Sequence, residues 1–452
     1  MPKKKTALTI EERLQQALVP AEEQPYEVPE NWVWVRLESV ASWGSGGTPS
    51  RKHEEYYNGD ILWIKTGELN NGWIYDTEEK ITDEGLKKSS AKLFPPYSVL
   101  IAMYGATIGK VAILGVPATT NQACACAVCN QSLLYMYLFY YCISQKNVFI
   151  EKGKGGAQPN ISQIILKQHP IPLPPLSEQQ RIVERIEELF AKLDEAKERL
   201  QEAADSFVVR KAAILHKAFT GELTKQWRLK NGVSDESWEE SNFGKFTVSQ
   251  YGYTEKAHWE KIGPKFLRIT DIQDNKVDWD EVPWCPIDED GMKQYAVEIG
   301  DIMIARTGAT TGKSYLICDN VEAVFASFLI RLKVVNKNLD YNYLYGYMQS
   351  EDYWRQITDF SSGIAQPGVN ASKLKQIKFK CPTLPEQHEI VRLIDDLLAR
   401  ERSAQQATEQ ALASIDLMKK SILARAFRGE LGTNKASEAS ALELLRQVLA
   451  EN

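Results

Sequence analysis

The sequence predicts an α+β fold in which two repeated globules, mixed and mostly β, are separated by two long antiparallel coiled-coil helices. The first observation is a tandem repeat of about 208 residues, whose best-matched parts are 176–223 and 384–431. These parts align without a gap, and 19 of 48 positions are identical. The second is the alternation of turn residues with short apolar runs in the rest of each repeat, which is typical of strands.

The first globule is expected to contain short strands and a helix, and the whole chain to divide into six segments. Residues 32–37, 61–66 and 97–103 have the composition of short strands, and 133–151 that of a helix. The second globule repeats this plan, with one strand expected over 323–332. The expected segments are 1–26 (an N-terminal segment with a short helix), 27–175 (first globule), 176–223 (first spacer helix), 224–381 (second globule), 382–432 (second spacer helix) and 433–452 (C-terminal tail).

The helices are predicted from their apolar spacing. Ile182 and Ile186 begin two rows that recur every seven residues, with Ala196 in the first row and Ile214 in the second. In the second copy a row of the same spacing ends at Met418. Because both helices belong to one chain, antiparallel pairing with each other is the simplest way to bury these rows.

Further signals mark the ends of helices. Thr9 and Glu12 have the spacing of a capping box, which predicts a short helix in the N-terminal segment. Gly221 and Gly429 lie where the long helices should stop.

Composition excludes several classes of protein. The chain has 452 residues and a formal net charge of −6, so it is not a uniformly basic DNA-coating protein. The longest apolar run, 133–143, is shorter than the roughly 20 residues of a membrane span. Seven cysteines are few for a secreted scaffold, and no secretory signal is recognisable. We therefore expect a cytoplasmic protein that does not associate with membranes.

Several short strings imitate catalytic motifs without completing them. GATTGKS (308–314) has three residues between its glycines where a phosphate-binding loop has four, so it is better interpreted as a tight turn. Cys124, Cys126, Cys129 and Cys142 lack a second pair at zinc-finger spacing and favour apolar packing. We predict no catalytic residue, no metal site and no cofactor in this chain.

Four strings make the chain resemble the specificity subunit of type I restriction–modification enzymes. They are GGTPSRKHEEYYNGDILWIKTGEL (46–69), the doubled GAT-x-GK turn, GGAQPNIS followed by IPLPPLSEQQRIVERIEEL, and the terminal KAFTGEL and RAFRGEL. The second globule departs from the first string, with SQYGYTEKAHW at 249–259.

The resemblance implies a division of labour. Each globule would be a target-recognition domain on double-stranded DNA, and each helix would space the domains and dock a methyltransferase subunit. It further implies two methyltransferase subunits that use S-adenosylmethionine, and ATP- and magnesium-dependent restriction and translocase subunits.

Candidate DNA contacts are basic, amide and aromatic residues in glycine-containing loops and at strand ends. Arg and Lys can bind guanine or phosphate, and Asn and Gln can pair with adenine. Tyr104 and Arg306 are taken as equivalent positions before the GAT turns. The candidates are Arg51, Lys52, His53, Lys65, Thr66, Tyr104, Lys110, Lys154, Gln158, Asn160, Tyr251, Tyr253, Lys256, Arg268, Thr270, Arg306, Lys313, Gln366 and Asn370. The alternatives are solvated loops, side chains that satisfy their own backbone, and apolar packing.

Candidate partner-docking residues are those repeated in both helices away from the apolar rows. The alternative is that they fasten the helix ends to the globules. They are Glu178, Gln179, Lys211, Phe219 and Glu222, with the counterparts Glu386, Gln387, Lys419, Phe427 and Glu430.

The function that we predict is non-catalytic recognition of a split, asymmetric duplex site, with adenine methyltransferase and restriction subunits positioned on it. Two alternatives come from other classes. A coiled-coil adaptor would bind proteins only, without DNA specificity. An enzyme in its own right would methylate DNA without partners, which the incomplete cofactor motifs disfavour.

Overall fold

The computed structural model describes residues 9–153, 159–273, 275–361 and 368–451. Its chain divides into two compact units. Unit 1 comprises Met1–Arg199 and Ala411–Asn452, and unit 2 comprises Leu200–Gln410. Each unit holds one globule, the first part of one long helix and the last part of the other. The six linear segments expected from the sequence divide the chain differently, and their boundaries stay a prediction.

The helices include two that are far longer than the others. In chain order they are α1 (Ile10–Ala17), α2 (Leu37–Val40), α3 (Asp83–Lys87), α4 (Tyr135–Ser144), α5 (Lys146–Lys152), α6 (Gln163–Lys167), α7 (Leu176–Phe219), α8 (Lys225–Asn231), α9 (Phe243–Phe246), α10 (Glu289–Tyr295), α11 (Tyr341–Tyr347), α12 (Glu351–Ser361), α13 (Ala371–Lys375), α14 (Leu384–Ala426) and α15 (Ala441–Glu451). Within the described ranges, none is both long and apolar enough to cross a membrane.

The predicted helix ends are confirmed. Before α1, the Thr9 side chain accepts a hydrogen bond from the Glu12 backbone, and the Glu12 carboxylate accepts one from the Thr9 backbone. Beyond the two long helices, Gly221 and Gly429 have φ angles of +83° and +73°. Glycine adopts this left-handed conformation without steric cost, so the chain turns away there.

Unit 1 is built around a mixed sheet. Its strands are β1 (Val33–Arg36), β2 (Ala41–Ser45), β3 (Tyr57–Ile64), β4 (Trp73–Ile74), β5 (Lys80–Ile81), β6 (Val99–Ala102), β7 (Val111–Leu114), β8 (Thr119–Thr120), β9 (Cys124–Cys129) and β10 (Pro170–Leu173). The main sheet has the order β2-β9-β6-β7-β4. A second sheet has the order β5-β3-β8, and β1 pairs with β10 as an antiparallel ribbon.

Unit 2 repeats this plan. Its strands are β11 (Glu239–Asn242), β12 (Thr247–Tyr251), β13 (Lys265–Leu267), β14 (Ile272–Gln273), β15 (Lys276–Val277), β16 (Ile302–Ala305), β17 (Ser314–Leu316), β18 (Ala323–Phe325), β19 (Leu329–Val334) and β20 (Lys378–Cys381). The main sheet order, β12-β19-β16-β17, corresponds to β2-β9-β6-β7, and β11–β20 corresponds to β1–β10. The strand expected over 323–332 is instead two, β18 and β19, because the chain turns at 326–328.

The two long helices pair antiparallel in both units. In unit 1, Ile182 and Ile186 near the start of α7 share a core with Leu423 and Phe427 near the end of α14. In unit 2, Phe219 at the end of α7 shares a core with residues near the start of α14. The predicted antiparallel pairing is therefore confirmed.

Some expected seam positions are not buried. Ala196 is exposed, Met418 is 48% exposed, and Leu215 is buried where the heptad predicts Ile214. An α-helix has 3.6 residues per turn, so a strict seven-residue spacing drifts around its surface unless the helices supercoil. The apolar rows consequently predict burial well at the starts of the two helices and poorly further along them.

Candidate nucleic-acid interface

Each GAT turn lies beside the loop that carries the candidate asparagine. In unit 1, Tyr104 forms a β-bridge with Asn160, and Gly105 donates a backbone hydrogen bond to the Pro159 carbonyl at 2.9 Å. In unit 2, Thr307 forms the corresponding bridge with Gly368. Two groups of candidates from distant parts of the sequence are thus brought together in each unit.

Tyr104 and Arg306 are not equivalent, contrary to the sequence expectation. Each follows its strand toward the GAT turn, but Tyr104 immediately precedes Gly105, whereas Thr307 immediately precedes Gly308. The residue that corresponds to Arg306 is Met103, which is 4% exposed. The divergence between the units is therefore larger than expected, since a half-buried cation replaces a buried apolar side chain.

The basic side chains at the first loop of unit 1 are held by carboxylates. Arg51 contacts Glu79 at 2.7 Å and lies over the Tyr57 ring, 4.3 Å from its centroid. Lys65 contacts the same Glu79 at 2.9 Å and Glu78 at 3.3 Å. Hydrogen bonding to Lys65 lowers the pKa of Glu79, and hydrogen bonding to Glu79 raises the pKa of Lys65. A phosphate or base would have to compete with these ion pairs.

The remaining candidates around this loop differ in their surroundings. His53 stacks on Tyr56 and its Nδ1 lies 2.8 Å from the Glu55 carboxylate, while Lys52 is exposed. Thr66 begins a short 3-10 turn after Lys65.

Arg268 in unit 2 occupies the position of Lys65. Both residues donate their backbone N–H to a carboxylate three residues on, Glu68 in unit 1 and Asp271 in unit 2. The Arg268 guanidinium also binds Asp271, with contacts of 2.7 and 3.1 Å. Lys65 and Arg268 are thus similarly placed, as expected, but the position of Thr66 is taken by Ile269 and not by Thr270. Here too the cation has a carboxylate partner.

The other candidates of unit 2 divide between exposed and packed positions. Tyr251 is 42% exposed and lies under the Arg306 guanidinium, whereas the Tyr253 ring packs on Tyr295 at 5.3 Å. Asn370 caps α13 by accepting a hydrogen bond from the Lys373 backbone, so its side chain satisfies the local chain.

The remaining candidates are mostly lysines at the surface. Lys256, Thr270 and Lys313 are exposed, whereas Lys110, which ends the first GAT turn, is half-buried. Lys154, Gln158 and Gln366 lie outside the described residues.

A family model described as the type I restriction modification DNA specificity domain matches residues 29–204 and 236–412. The chain belongs to this family. It is 25% identical over 450 residues to the EcoKI specificity subunit of Escherichia coli (strain K12), covering 94% of this chain and 96% of the relative. The EcoBI specificity subunit of Escherichia coli is 25% identical over 462 residues, with coverage of 94% and 93%.

A solved structure shares the fold. The HsdS subunit from Thermoanaerobacter tengcongensis matches with a TM-score of 0.66 at 21% identity, covering 90% of this chain and all of that one. The resemblance inferred from the sequence is confirmed by these comparisons. The chain is a specificity subunit, the non-catalytic component of a type I system.

Within the specificity subunit, the repeated residues at the helix starts are internal fasteners. Gln179 is fully buried, accepts a hydrogen bond from the Leu134 backbone and donates to the Ser132 and Pro174 carbonyls. Gln387 does the same in unit 2, with the Asp340 backbone and the Asn338 and Pro382 carbonyls. A buried amide that is satisfied in this way has no surface to offer a partner, so the predicted docking role does not fit either residue.

Glu178 and Glu386 are likewise fully buried. Glu178 accepts hydrogen bonds from Thr433 at 2.6 Å and from Arg181 at 2.7 Å. Glu386 accepts from Thr224 and Arg228, both at 2.6 Å, and from Trp238 at 3.1 Å. Each carboxylate therefore ties the start of one long helix to the chain that follows the end of the other. Their identity in both copies is explained by this latch, and docking by them is a correction to the sequence prediction.

The remaining docking candidates differ in accessibility. Phe219 and Phe427 are 9% and 1% exposed and belong to the cores, so they are corrected in the same way. Lys419 pairs with Asp194 at 2.5 Å across the two helices of unit 1. Lys211, Glu222 and Glu430 are exposed and keep their candidate role.

Sequence reasoning missed an exposed apolar pair on the helices. Val209 and Leu417 occupy equivalent positions in the two copies and are 68% and 65% exposed. Apolar residues were assigned to the seam, so the equal placement of two apolar residues outside it was overlooked.

The four cysteines considered as zinc ligands lie in packed positions. Cys124, Cys126 and Cys142 are buried, and burial raises the pKa of Cys126 and Cys129 to about 12. Among the described residues, no group of three or more His, Cys, Asp or Glu side chains could hold a metal ion.

Proposed function

We propose that this specificity subunit reads a split, asymmetric duplex site, with one half-site recognised by each unit. The observation that carries the proposal is the pair of equivalent sheets whose strand ends bear different side chains. Met103 in one unit and Arg306 in the other are an example. Two similar frames with different contact residues are suited to two different sequences.

The proposal extends to the partners. Two adenine methyltransferase subunits would dock on the paired helices, one in each unit, where Val209 and Leu417 provide equivalent exposed apolar contacts. S-adenosylmethionine would belong to those subunits, and ATP and magnesium to restriction and translocase subunits. The cytoplasm is the proposed location, since DNA and these cosubstrates are present there.

A domain exchange tests the two-reader arrangement. Residues 27–175 are replaced by the corresponding domain of another family member, and methylated adenines are mapped in cells that carry the complete system. One half-site should change and the other should stay the same. A simultaneous change of both halves would show that the units do not read DNA independently.

The stoichiometry has its own test. Native mass measurement of the purified complex should find two methyltransferase subunits for each copy of this chain. A complex that stays at one to one with excess methyltransferase would contradict equivalent docking in both units. Leu417→Asp should remove one of the two subunits, and the exposed substitution Glu409→Ala is the matched control on the same helix.

A further inference from the structure

Three residues of unit 2 lie where neighbouring strands of its main sheet end. Tyr251 is the last residue of β12, Arg306 follows β16, and Phe328 precedes β19. The sheet order places β19 between β12 and β16. Tyr251 pairs with Ile330 across one ladder and Ala305 pairs with Leu329 across the other, so the three ends lie at one corner.

The contacts at this corner orient the guanidinium. Arg306 lies over the Tyr251 ring, 5.0 Å from its centroid, and donates from Nη1 to the Ser327 carbonyl at 3.3 Å. Its backbone N–H donates to the Phe328 carbonyl at 3.2 Å. The Tyr251 hydroxyl accepts a hydrogen bond from the Ala371 backbone at 3.2 Å, which fixes the ring beneath the guanidinium. An arginine stacked on a fixed ring loses less freedom when it binds than a free one.

The charge of Arg306 is not neutralised by the carboxylates of the described chain. The other two arginines among the candidate DNA contacts pair with carboxylates, Arg51 with Glu79 and Arg268 with Asp271. Arg306 forms no such ion pair with the residues that the structure describes. It is therefore the candidate arginine whose donors can bind an incoming group without displacing a carboxylate.

Unit 1 lacks all three side chains at the equivalent positions. The matching ladders place Ser45 at the position of Tyr251, and Ala123 at that of Phe328. Met103, which corresponds to Arg306, is buried. In unit 2 the two aromatic side chains are instead 42% and 61% exposed. All three positions therefore differ between the units, as expected of a contact surface that is present in one reader only.

We propose that Arg306 is a specificity-determining residue that reads a guanine in the half-site of unit 2. The inference rests on the proposed function and adds the base that is read. A guanidinium fork matches the O6 and N7 acceptors of guanine in the major groove. Phe328, beside it, contacts the apolar edge of the neighbouring base pair, for which the thymine methyl group is the natural partner. Tyr251 is a positioning residue that holds the guanidinium plane.

The experiment uses the full chain in complex with its methyltransferase and a duplex library randomised in both half-sites. Arg306→Ala and Arg306→Lys remove the fork, and the lysine variant retains the charge. Both should reduce the preference for one guanine on the order of tenfold to a hundredfold. That guanine must lie in the half-site that the exchange of 27–175 leaves unchanged. Phe328→Ala should relax only the adjacent position.

A matched control and the opposing outcomes complete the test. Arg355→Ala removes an exposed arginine of the same unit that pairs with Asp352, and it should leave the base preferences intact. A phosphate contact would overturn the inference: Arg306→Lys would then be nearly silent, and Arg306→Ala would weaken all sequences equally and reduce the salt dependence. Unchanged preferences in both Arg306 variants would also overturn it. A wild-type complex without any sequence preference would instead sink the proposed function.

Discussion

Unit 1 covers the β1–β10 ribbon with the N-terminal chain, whereas unit 2 leaves the equivalent β11–β20 ribbon open. In unit 1, Val19 donates to the Trp34 carbonyl at 3.0 Å, and Tyr26 packs edge-on against the Trp34 ring at 4.9 Å. In unit 2, Glu240 occupies the position of Trp34 and lines a cleft of about 710 Å³ together with Lys378. The ribbon is apolar in unit 1, where the N-terminal chain covers it, and charged in unit 2, where it is exposed to solvent.

The helix starts show the opposite behaviour, since both units use the same buried glutamate and glutamine. Residues that are identical in the two copies form the shared internal frame, and residues that differ reflect what each unit meets outside that frame. Residues that are identical in both copies of a repeat are therefore to be expected in the internal frame of the fold before they are expected in a partner interface.

The largest expected effect comes from the buried carboxylates. Glu386→Ala leaves Arg228, whose side chain is 8% exposed, with Asp235 as its remaining partner, and the Asp235 side chain is 80% exposed. The free energy of unfolding of unit 2 should fall by about 3–5 kcal/mol. Glu178→Ala should cost less, about 1–3 kcal/mol, because Arg181 is 24% exposed and keeps Glu438. Urea unfolding, with amide hydrogen exchange followed separately in each unit, measures both losses.

An equal loss in the free energy of unfolding for Glu386→Ala and Glu178→Ala would show that the two buried carboxylates stabilise their units equally. Glu188→Ala is the control, since this exposed glutamate of α7 pairs with Arg185 and Lys192 at the surface. Its effect on the free energy of unfolding should stay within about 0.5 kcal/mol.

A second effect tests whether the C-terminal helix belongs to the core of unit 1. Leu445 in α15 is fully buried in that core. Leu445→Ala should lower the free energy of unfolding by about 2–4 kcal/mol and leave hydrogen exchange in unit 2 unchanged. Gln447→Ala, on the exposed side of the same helix, is the control. Protection lost in both units would show that the two cores unfold as one.

A smaller effect depends on pH. Burial, together with charge repulsion from Lys152, lowers the pKa of His169 to about 3. An unfolded histidine titrates near 6.5, so the stability of unit 1 is complete above that pH and falls as the pH drops toward the folded value. Between pH 7 and 5 the loss should be about 2 kcal/mol. His169→Ile, which copies Ile377 of unit 2, should flatten the profile; an unchanged slope would contradict the assignment.

The smallest effect concerns one backbone position. Tyr97 has a φ angle of +68°, and its equivalent in unit 2 is Gly300 at +93°. Gly300→Ala should destabilise unit 2 by about 1 kcal/mol. Tyr97→Gly should be nearly neutral, within about 0.5 kcal/mol, because relief of the left-handed conformation is offset by loss of the ring contact with Tyr135. Thermal unfolding measures both, and a large loss in Tyr97→Gly would assign the ring a greater role.

The fold was accessible from the sequence because its signals are local or repeated. The GAT turns, the left-handed glycines and the apolar rows at the helix ends follow from chain geometry. Identity between copies, however, does not reveal which way a side chain points. The sequence predicts Glu178 and Glu386 as docking residues for that reason. A helical pattern does not show that a threonine and an arginine donate hydrogen bonds to each of these carboxylates.

The candidate interface was harder to predict because charge depends on distant neighbours. Arg51 and Lys65 are basic in the sequence, but Glu79, in a segment that follows the next strand, forms an ion pair with each of them. Phe328 was taken as part of a strand, so its exposure was not foreseen. Such outcomes depend on which strand ends meet, and the order of strands in a sheet is not a property of any short segment.

The first and last helices of the described chain lie side by side. Arg13 of α1 donates to the Leu449 carbonyl of α15 at 3.2 Å, and Arg446 contacts Glu11 at 3.2 Å. Each latch glutamate already joins the head of one long helix to the tail of the other. A short peptide that joins α15 to α1 should therefore allow a circular permutant, opened at an exposed turn elsewhere in the chain, to keep the contacts of unit 1.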